Sequence, residues 1–278
     1  MRGALVLPWG MSDGMSGSGP APRANAQAPA LVRSRELFDQ GAHRDGLAQA
    51  ERAAQEARAA QDPLALARAL HLCAAHSWRL GQYTAALTTV REAVAQAEQL
   101  PPDECCELLC LVSIVGTEIG VREEALEAGL KALDLARQHG LKRQMTQALN
   151  RIGVCHDRAG RPEDAQAFHA QALALAREMQ DQDLILSTLN SLTAVGISAY
   201  YQHSARGEQA LARDAARRAI PCGQEAVERA RASGDPYRLA VTSGNLGEAH
   251  GLLEHWSLAQ ELLEFAIETA RANGYRMG

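Results

Sequence analysis

The chain has 278 residues, with 33 acidic and 28 basic side chains for a net charge of −5, and aromatic residues make up only 4% of it. No basic block stands out, so binding to a nucleic-acid backbone has no electrostatic support, and nothing approaches the roughly 18 consecutive apolar residues of a membrane-spanning helix. Scarce aromatics and abundant alanine suit thin, closely packed helices rather than one large closed core.

Residues 1–26 come first. The apolar run Leu5-Val6-Leu7 with a single Arg2 is shorter than the core of about 7 to 15 residues that a secretion signal needs. The Gly, Ser, Pro and Ala that follow predict disorder, and Met11 and Met15 are alternative starts. A cytoplasmic protein is expected.

From residue 27 onward the chain repeats itself about every forty residues. Gly-containing turns at Gly81, Gly120 and Gly160 are followed at constant offsets by Ala86/Val90/Ala93, Ala125/Gly129/Ala132 and Ala165/His169/Ala172. A second matched set precedes each turn: Leu70/Cys73/Ala74, Leu109/Val112/Ser113 and Leu149/Ile152/Gly153. Self-similarity at a fixed period of this size indicates a stack of supersecondary units. Within a unit the offsets i, i+3, i+4 and i+7 put Leu149, Ile152, Gly153 and His156 on one helical stripe. Each unit is therefore read as two helices, A and B, as in Gln144–Ala159 and Pro162–Met179. Proline at a helix start, glycine just past a helix end, and the Asp62-Pro63 and Asp235-Pro236 starts are the expected punctuation.

Six units follow over 27–278. The first, with Ala30, Ser34 and Leu37 and then Gly46, Ala50 and Ala53, is degenerate, as befits a terminal repeat. The fifth starts in register at Leu189, Leu192 and Thr193, but its B-helix set, Ala219, Gly223 and Ala226, arrives about fourteen residues late. Residues 200–218 are read as an insertion that lengthens the hairpin, with a kink or restart at Pro221 because interior proline costs about 3 kcal/mol. The sixth unit returns with Leu246, Gly247, His250, Ala259, Leu263 and Ala266. No terminal helix with a polar outer face is visible before Gly278, so the last repeat reads as open.

No pattern calls for catalysis or a metal. Cys106 and Cys110 share a helix face, but no His or second Cys pair completes a four-ligand set, and Cys73 sits where Val112 and Ile152 sit in other units. Cys155-His156 resembles a nucleophile and base, yet adjacent helical residues point about 100° apart and His156 lies on the packing stripe. Gly116–Gly120 has no preceding strand to make it a phosphate loop. The expectation is no enzyme activity, no metal and no cofactor.

These residues carry a resemblance. The large–x2–medium–small pattern of helix A and the Ala–x3–x–x2–Ala spacing of helix B, as in Leu149-Asn150-Arg151-Ile152-Gly153 with Ala165, His169 and Ala172, look like the tetratricopeptide repeat family, in a long form of about forty residues. The family implies an all-α, right-handed solenoid of antiparallel helix pairs whose A helices line a concave, partner-binding groove. The departure lies in the B-helix aromatic, replaced by Val90, Gly129 and His169. Ala- and Arg-rich arrays of this length are also similar to those preceding the output domain of bacterial diguanylate cyclases, although the cyclase Gly-Gly-Asp/Glu-Glu-Phe signature is absent.

The A-helix face beside the packing stripe holds Arg68, His71, Trp78 and Arg79 in the second unit. It holds Glu107, Cys110 and Ile114 in the third, Gln147, Asn150, Asp157 and Arg158 in the fourth, Asn190 in the fifth and Asn245 in the sixth. Asparagine offers a donor and an acceptor, which suits an extended peptide backbone. The resemblance implies that role for Asn150, Asn190 and Asn245. Arg68, Arg79 and Arg158 are candidates to pair with a ligand carboxylate and Trp78 to anchor an apolar group. The expected function is a scaffold that captures a protein or peptide, with neither nucleic acid nor membrane as partner, and with self-association through the insertion or the open last repeat. The alternative is the sensory module of a bacterial signalling protein. A peptide-responsive transcription regulator is disfavoured because the first 26 residues leave no room for a helix-turn-helix.

Overall fold

A computed structural model describes residues 28–273; the expectations for residues 1–26 and for the chain's last residues lie outside that range. The described residues form twelve α-helices, one short 3-10 turn and no strand. They are α1 (Pro29–Asp39), α2 (His43–Ala60), α3 (Pro63–Arg79), α4 (Tyr83–Ala95), α5 (Pro102–Ile119), α6 (Arg122–Gln138), α7 (Lys142–Arg158), α8 (Pro162–Glu178), α9 (Gln182–Ala205), α10 (Gln209–Ser233), α11 (Pro236–Leu252) and α12 (Trp256–Ala272). Odd-numbered helices are the A helices and even-numbered ones the B helices. The predicted punctuation is present. Asp62 accepts a hydrogen bond from the Ala65 amide and Asp235 from the amides of Tyr237 and Arg238, while Gly120, Gly140 and Gly160 hold positive φ after helix ends.

The chain divides into two compact units, with the boundary inside α7 between Cys155 and His156. In the N-terminal unit, α1 packs with α2, α3 with α4, and α5 with α6. The predicted stripe residues Leu70, Cys73, Ala74, Val112, Ser113, Leu149 and Ile152 are buried, and only Leu109 is partly exposed. Small residues set how close the helices come. A Cβ on Gly129 would stand 3.1 Å from Ile152 Cγ1, so this B-helix position is glycine where the next A helix brings a large side chain.

The degenerate first repeat is tied in by a polar chain. His43 Nδ1 lies 3.3 Å from His76 Nδ1, and His76 Nε2 lies 3.1 Å from Ser34 Oγ, which donates to the Gly46 carbonyl at 2.8 Å. Because the Ser34 hydroxyl proton is committed to Gly46, His76 Nε2 carries the proton donated to Ser34, and its Nδ1 accepts from His43. Burial holds both imidazoles below their usual range, His43 at about 4. Phe38 meets both rings edge-on at 5.2 and 5.3 Å.

In the C-terminal unit α9 pairs with α10 and α11 with α12. The insertion is two lengthened helices. α9 and α10 run 24 and 25 residues where α11 and α12 run 17 each, and the turn between the long pair uses Gly207 at φ 78°. α10 passes through Pro221 as one helix, so the expected restart does not occur. Pro221 and Arg217 are both exposed, so the Arg217 carbonyl that loses its helical donor can be hydrated instead. Gly196 of α9 sits against Ala219 and Ala215 of α10, where a Cβ would come within 2.7 Å of the Ala219 methyl and 3.1 Å of the Ala215 carbonyl oxygen.

By length and composition α9 could cross a membrane, with a window of mean hydropathy 1.2, but 61% of that window is buried within the protein. Ala176, Ala226 and Ala230 cluster with its residues Leu184, Ile185, Leu186 and Leu189. α12 covers α11 through Ala259, Ala266 and Ala270 and leaves Trp256, Leu258, Leu263, Phe265 and Ile267 exposed.

Two substitutions test this account with opposite signs. Gly196→Ala gains up to about 1 kcal/mol of helix propensity but forces α9 from α10, for a net loss of about 1–2 kcal/mol in urea unfolding. Pro221→Ala restores a helical hydrogen bond at an exposed position and gains about 1–3 kcal/mol. A neutral Gly196→Ala would show that the pair is not closely packed there.

Candidate functional site

The A-helix faces are described unit by unit. In the N-terminal unit α3, α5 and α7 lie side by side. Arg68 of α3 forms a two-pronged pair with Glu104 of α5 at 2.7 and 2.8 Å, and Cys155 of α7 contacts Ser113 and Thr117 of α5 at 3.5 and 3.4 Å. Arg68 thus binds within the protein rather than standing open to a ligand carboxylate. His71 is buried and held neutral, its pKa lowered to about 4 by burial and then by Arg35. Trp78 is 3% exposed, and the Arg79 guanidinium lies 4.8 Å from its ring and 5.6 Å from that of Phe38. The indole is a packing element in this arrangement, not an open anchor. Gln147 is half-buried and Asn150 is 7% exposed.

Glu107 is the group on this face that the sequence reading passed over as a site residue. It holds in α5 the offset that Arg68 holds in α3 and Gln147 in α7. It is half-buried, and no hydrogen bond or ion pair to it exists among the described residues. Burial pushes its carboxyl up to about 7. Asp103 and Glu104 act in the same direction, and the positive charges of Arg35 and Arg143 act against it without overcoming it. The offset alone was legible; that the carboxylate lacks a partner was not.

The face of the C-terminal unit differs in character. Asn245 of α11 donates through Nδ2 to Asn190 Oδ1 of α9 at 2.8 Å, so the two predicted asparagines of adjacent repeats meet. The pair leaves the Asn190 Nδ2 donor and the Asn245 Oδ1 acceptor without partners among the described residues. Asp157 sits at the end of α7 with its carboxyl raised by burial, bonded to Ser198, and with Oδ1 buried and unpartnered. Glu248 of α11, also raised by burial, accepts from the Tyr201 hydroxyl at 2.9 Å. Arg158 is exposed.

The cysteines are free thiols. Burial raises Cys73, Cys106 and Cys110 to about 12, which keeps them protonated and inert. His156 stacks on Phe168 at 5.0 Å and faces Asp164 at 3.4 Å. No cluster of three or more metal-ligating side chains exists among the described residues.

Glu107 gives this face a pH signature. Between its ordinary 4.5 and about 7 the folded chain keeps a proton that the unfolded chain releases, so stability falls as pH rises through that window. Glu107→Gln should therefore stabilise the protein by about 1–3 kcal/mol at pH 8 and by little near pH 4.5. Urea unfolding at both pH values checks it, and a destabilised Glu107→Gln at pH 8 would mean that the carboxylate has a compensating partner.

No protein-family profile matches the sequence, and no curated protein does. Solved structures do match. BtubC (BKLC) from P. vanneervenii superposes with a TM-score of 0.63 at 22% identity, over 90% of this chain and 95% of that one. A Rap protein complexed with competence and sporulation factor gives 0.63 at 16% identity, over 88% and 69%. The signal transduction ATPase PH0952 from Pyrococcus horikoshii, with a tetratricopeptide repeat sensor, gives 0.60 at 16% identity, over 87% and 33%. With its helices in consecutive A–B pairs, the chain has the all-α fold of the tetratricopeptide-like repeat solenoids.

Proposed function

We propose that this chain is a peptide-binding scaffold that holds an extended segment of its partner along the A-helix faces. The observation that carries this reading is the Asn190–Asn245 pair. Its internal hydrogen bond holds both amides and leaves the Asn190 Nδ2 donor and the Asn245 Oδ1 acceptor unused. An extended peptide presents a backbone N–H and C=O in the same combination, and a pre-fixed pair loses little entropy on binding them. The structural neighbour solved as a Rap protein with competence and sporulation factor supports a partner-binding role for this fold. A second reading, a sensory module within a larger signalling protein, draws support from the match to one third of an ATPase that carries a tetratricopeptide repeat sensor. The two readings share the same binding face.

The test is selection of a displayed random-peptide library on the protein, followed by affinity measurement of enriched peptides against Asn190→Ala/Asn245→Ala and Asn150→Ala. The double variant should lose at least about tenfold in affinity while its circular dichroism is unchanged, as loss of two backbone hydrogen bonds implies. Equal binding by both proteins would move the site off the A-helix faces.

A further inference from the structure

We infer that the outer face of α12 docks a helical hairpin of another protein: an apolar first helix, then a second helix that brings a carboxylate to Arg271. This surface is separate from the A-helix faces of the peptide-binding reading. Trp256, Leu263 and Ile267 recur at i, i+7 and i+11 of α12, which puts them on one stripe. They are 67%, 39% and 38% exposed. Helix α8 has the same length and a closely similar set of side chains at the same offsets. Its Ala165, His169, Leu173 and Arg177 stand where α12 has Ala259, Leu263, Ile267 and Arg271.

In α8 these positions are covered by the next repeat. α9 packs on α8, and Leu173 contacts a cluster built from Leu184, Ile185 and Leu189 of α9 with Ala226 and Ala230 of α10. His169 is 0% exposed. Arg177 closes the contact by pairing with Glu225 of α10 at 2.7 Å. The N-terminal unit repeats the scheme, with Arg58 of α2 on Glu92 of α4 at 2.7 Å. In α12 the apolar stripe and the arginine are both present, and α11 is the helix packed against it. Arg271 is exposed, with no ion pair or hydrogen bond among the described residues.

The chemistry of the occupant follows from that match. An apolar helix buries Leu263 and Ile267 as α9 covers their counterparts, and a glutamate on the following helix answers Arg271 as Glu225 answers Arg177. An exposed apolar stripe flanked by an uncompensated charge is the usual make-up of an interaction surface. A second copy of this chain does not offer such a hairpin. Its A-helix stripe residues Leu149, Ile152 and Leu246 are already buried, and α1, which opens the described array, presents the exposed ion pair Arg33–Glu36.

The experiment uses the full chain and a probe of known make-up, residues 181–234 of this sequence (the α9–α10 hairpin) fused to a soluble carrier. Biolayer interferometry reads its binding to the wild type, Ile267→Asp and Arg271→Glu, with Glu225 in the probe intact or changed as Glu225→Arg. The wild type should bind the intact probe, and Ile267→Asp should weaken that binding at least about tenfold, as loss of one buried aliphatic side chain implies. Arg271→Glu should weaken it about two- to fivefold, the size of one exposed ion pair, and should regain the loss on the Glu225→Arg probe. Both positions are exposed, and circular dichroism checks that the variants are folded. No binding by the wild type, or equal binding by Ile267→Asp, overturns the docking surface. A loss in Arg271→Glu that the reversed probe does not regain overturns the charge pairing. Sedimentation of the full chain alone should show a monomer; a dimer that Ile267→Asp dissolves would make the occupant a second copy and overturn the assignment to another protein.

Discussion

The packing of the described residues depends on helices approaching closely at positions where even a methyl group would crowd the neighbouring helix. Gly46 takes the ring of His76, Gly129 takes Ile152, Gly223 takes Leu246 and Gly247 takes Leu263, and in each case an added Cβ would fall within about 3.1 Å of the neighbour. Two consequences follow. The large side chain of one helix needs a small one opposite, so each contact pairs a large residue with a glycine, as expected for close packing. And because each contact joins only neighbouring helices, a repeat can lose its aromatic or gain two turns without disturbing the packing elsewhere.

That same logic explains what could be read in the sequence. The stripe Leu149, Ile152 and Gly153, the caps at Asp62 and Asp235, and the small B-helix positions recur because backbone and packing geometry impose them within a helix and between sequence neighbours. The late arrival of Ala219 corresponds to the greater length of α9 and α10. Its form was less legible, because Pro221 reads as a break on local propensity, while α10 is held by Ala212, Ala215, Ala216, Ala219 and Gly223 on its buried side and leaves the proline on its exposed side. Tertiary packing outweighs a local cost of about 3 kcal/mol when several buried contacts lie on both sides of it.

The candidate face was legible in outline and not in detail, for a physical reason. Helical offset identifies which residues share a helix face, so Arg68, Glu107, Gln147, Asn190 and Asn245 could each be placed on the face of its own A helix. Whether a side chain is spent internally depends on contacts between residues 36 or 55 positions apart, as in Arg68–Glu104 and Asn245–Asn190. Trp78 has the composition of an anchor and the surroundings of a core residue. The histidine chain through His43, His76 and Ser34 was invisible for the same reason, since nothing local links residues 42 apart.

The polar groups on these faces divide into spent and unspent, and this division carries more functional weight than their charge alone. Exposed pairs such as Arg58–Glu92 and Arg177–Glu225 join successive B helices and contribute only tenths of a kcal/mol each, so they steady the stacking without defining a site. Arg238 and Asp183 do the same between α11 and α9. The A-helix faces also hold polar atoms with no partner among the described residues: the carboxylate of half-buried Glu107, the buried Oδ1 of Asp157, and the Asn190 Nδ2 and Asn245 Oδ1 atoms. A fold optimised only for stability would have paired or removed them. On the proposed peptide-binding reading, these open atoms are the ones that a partner would complete.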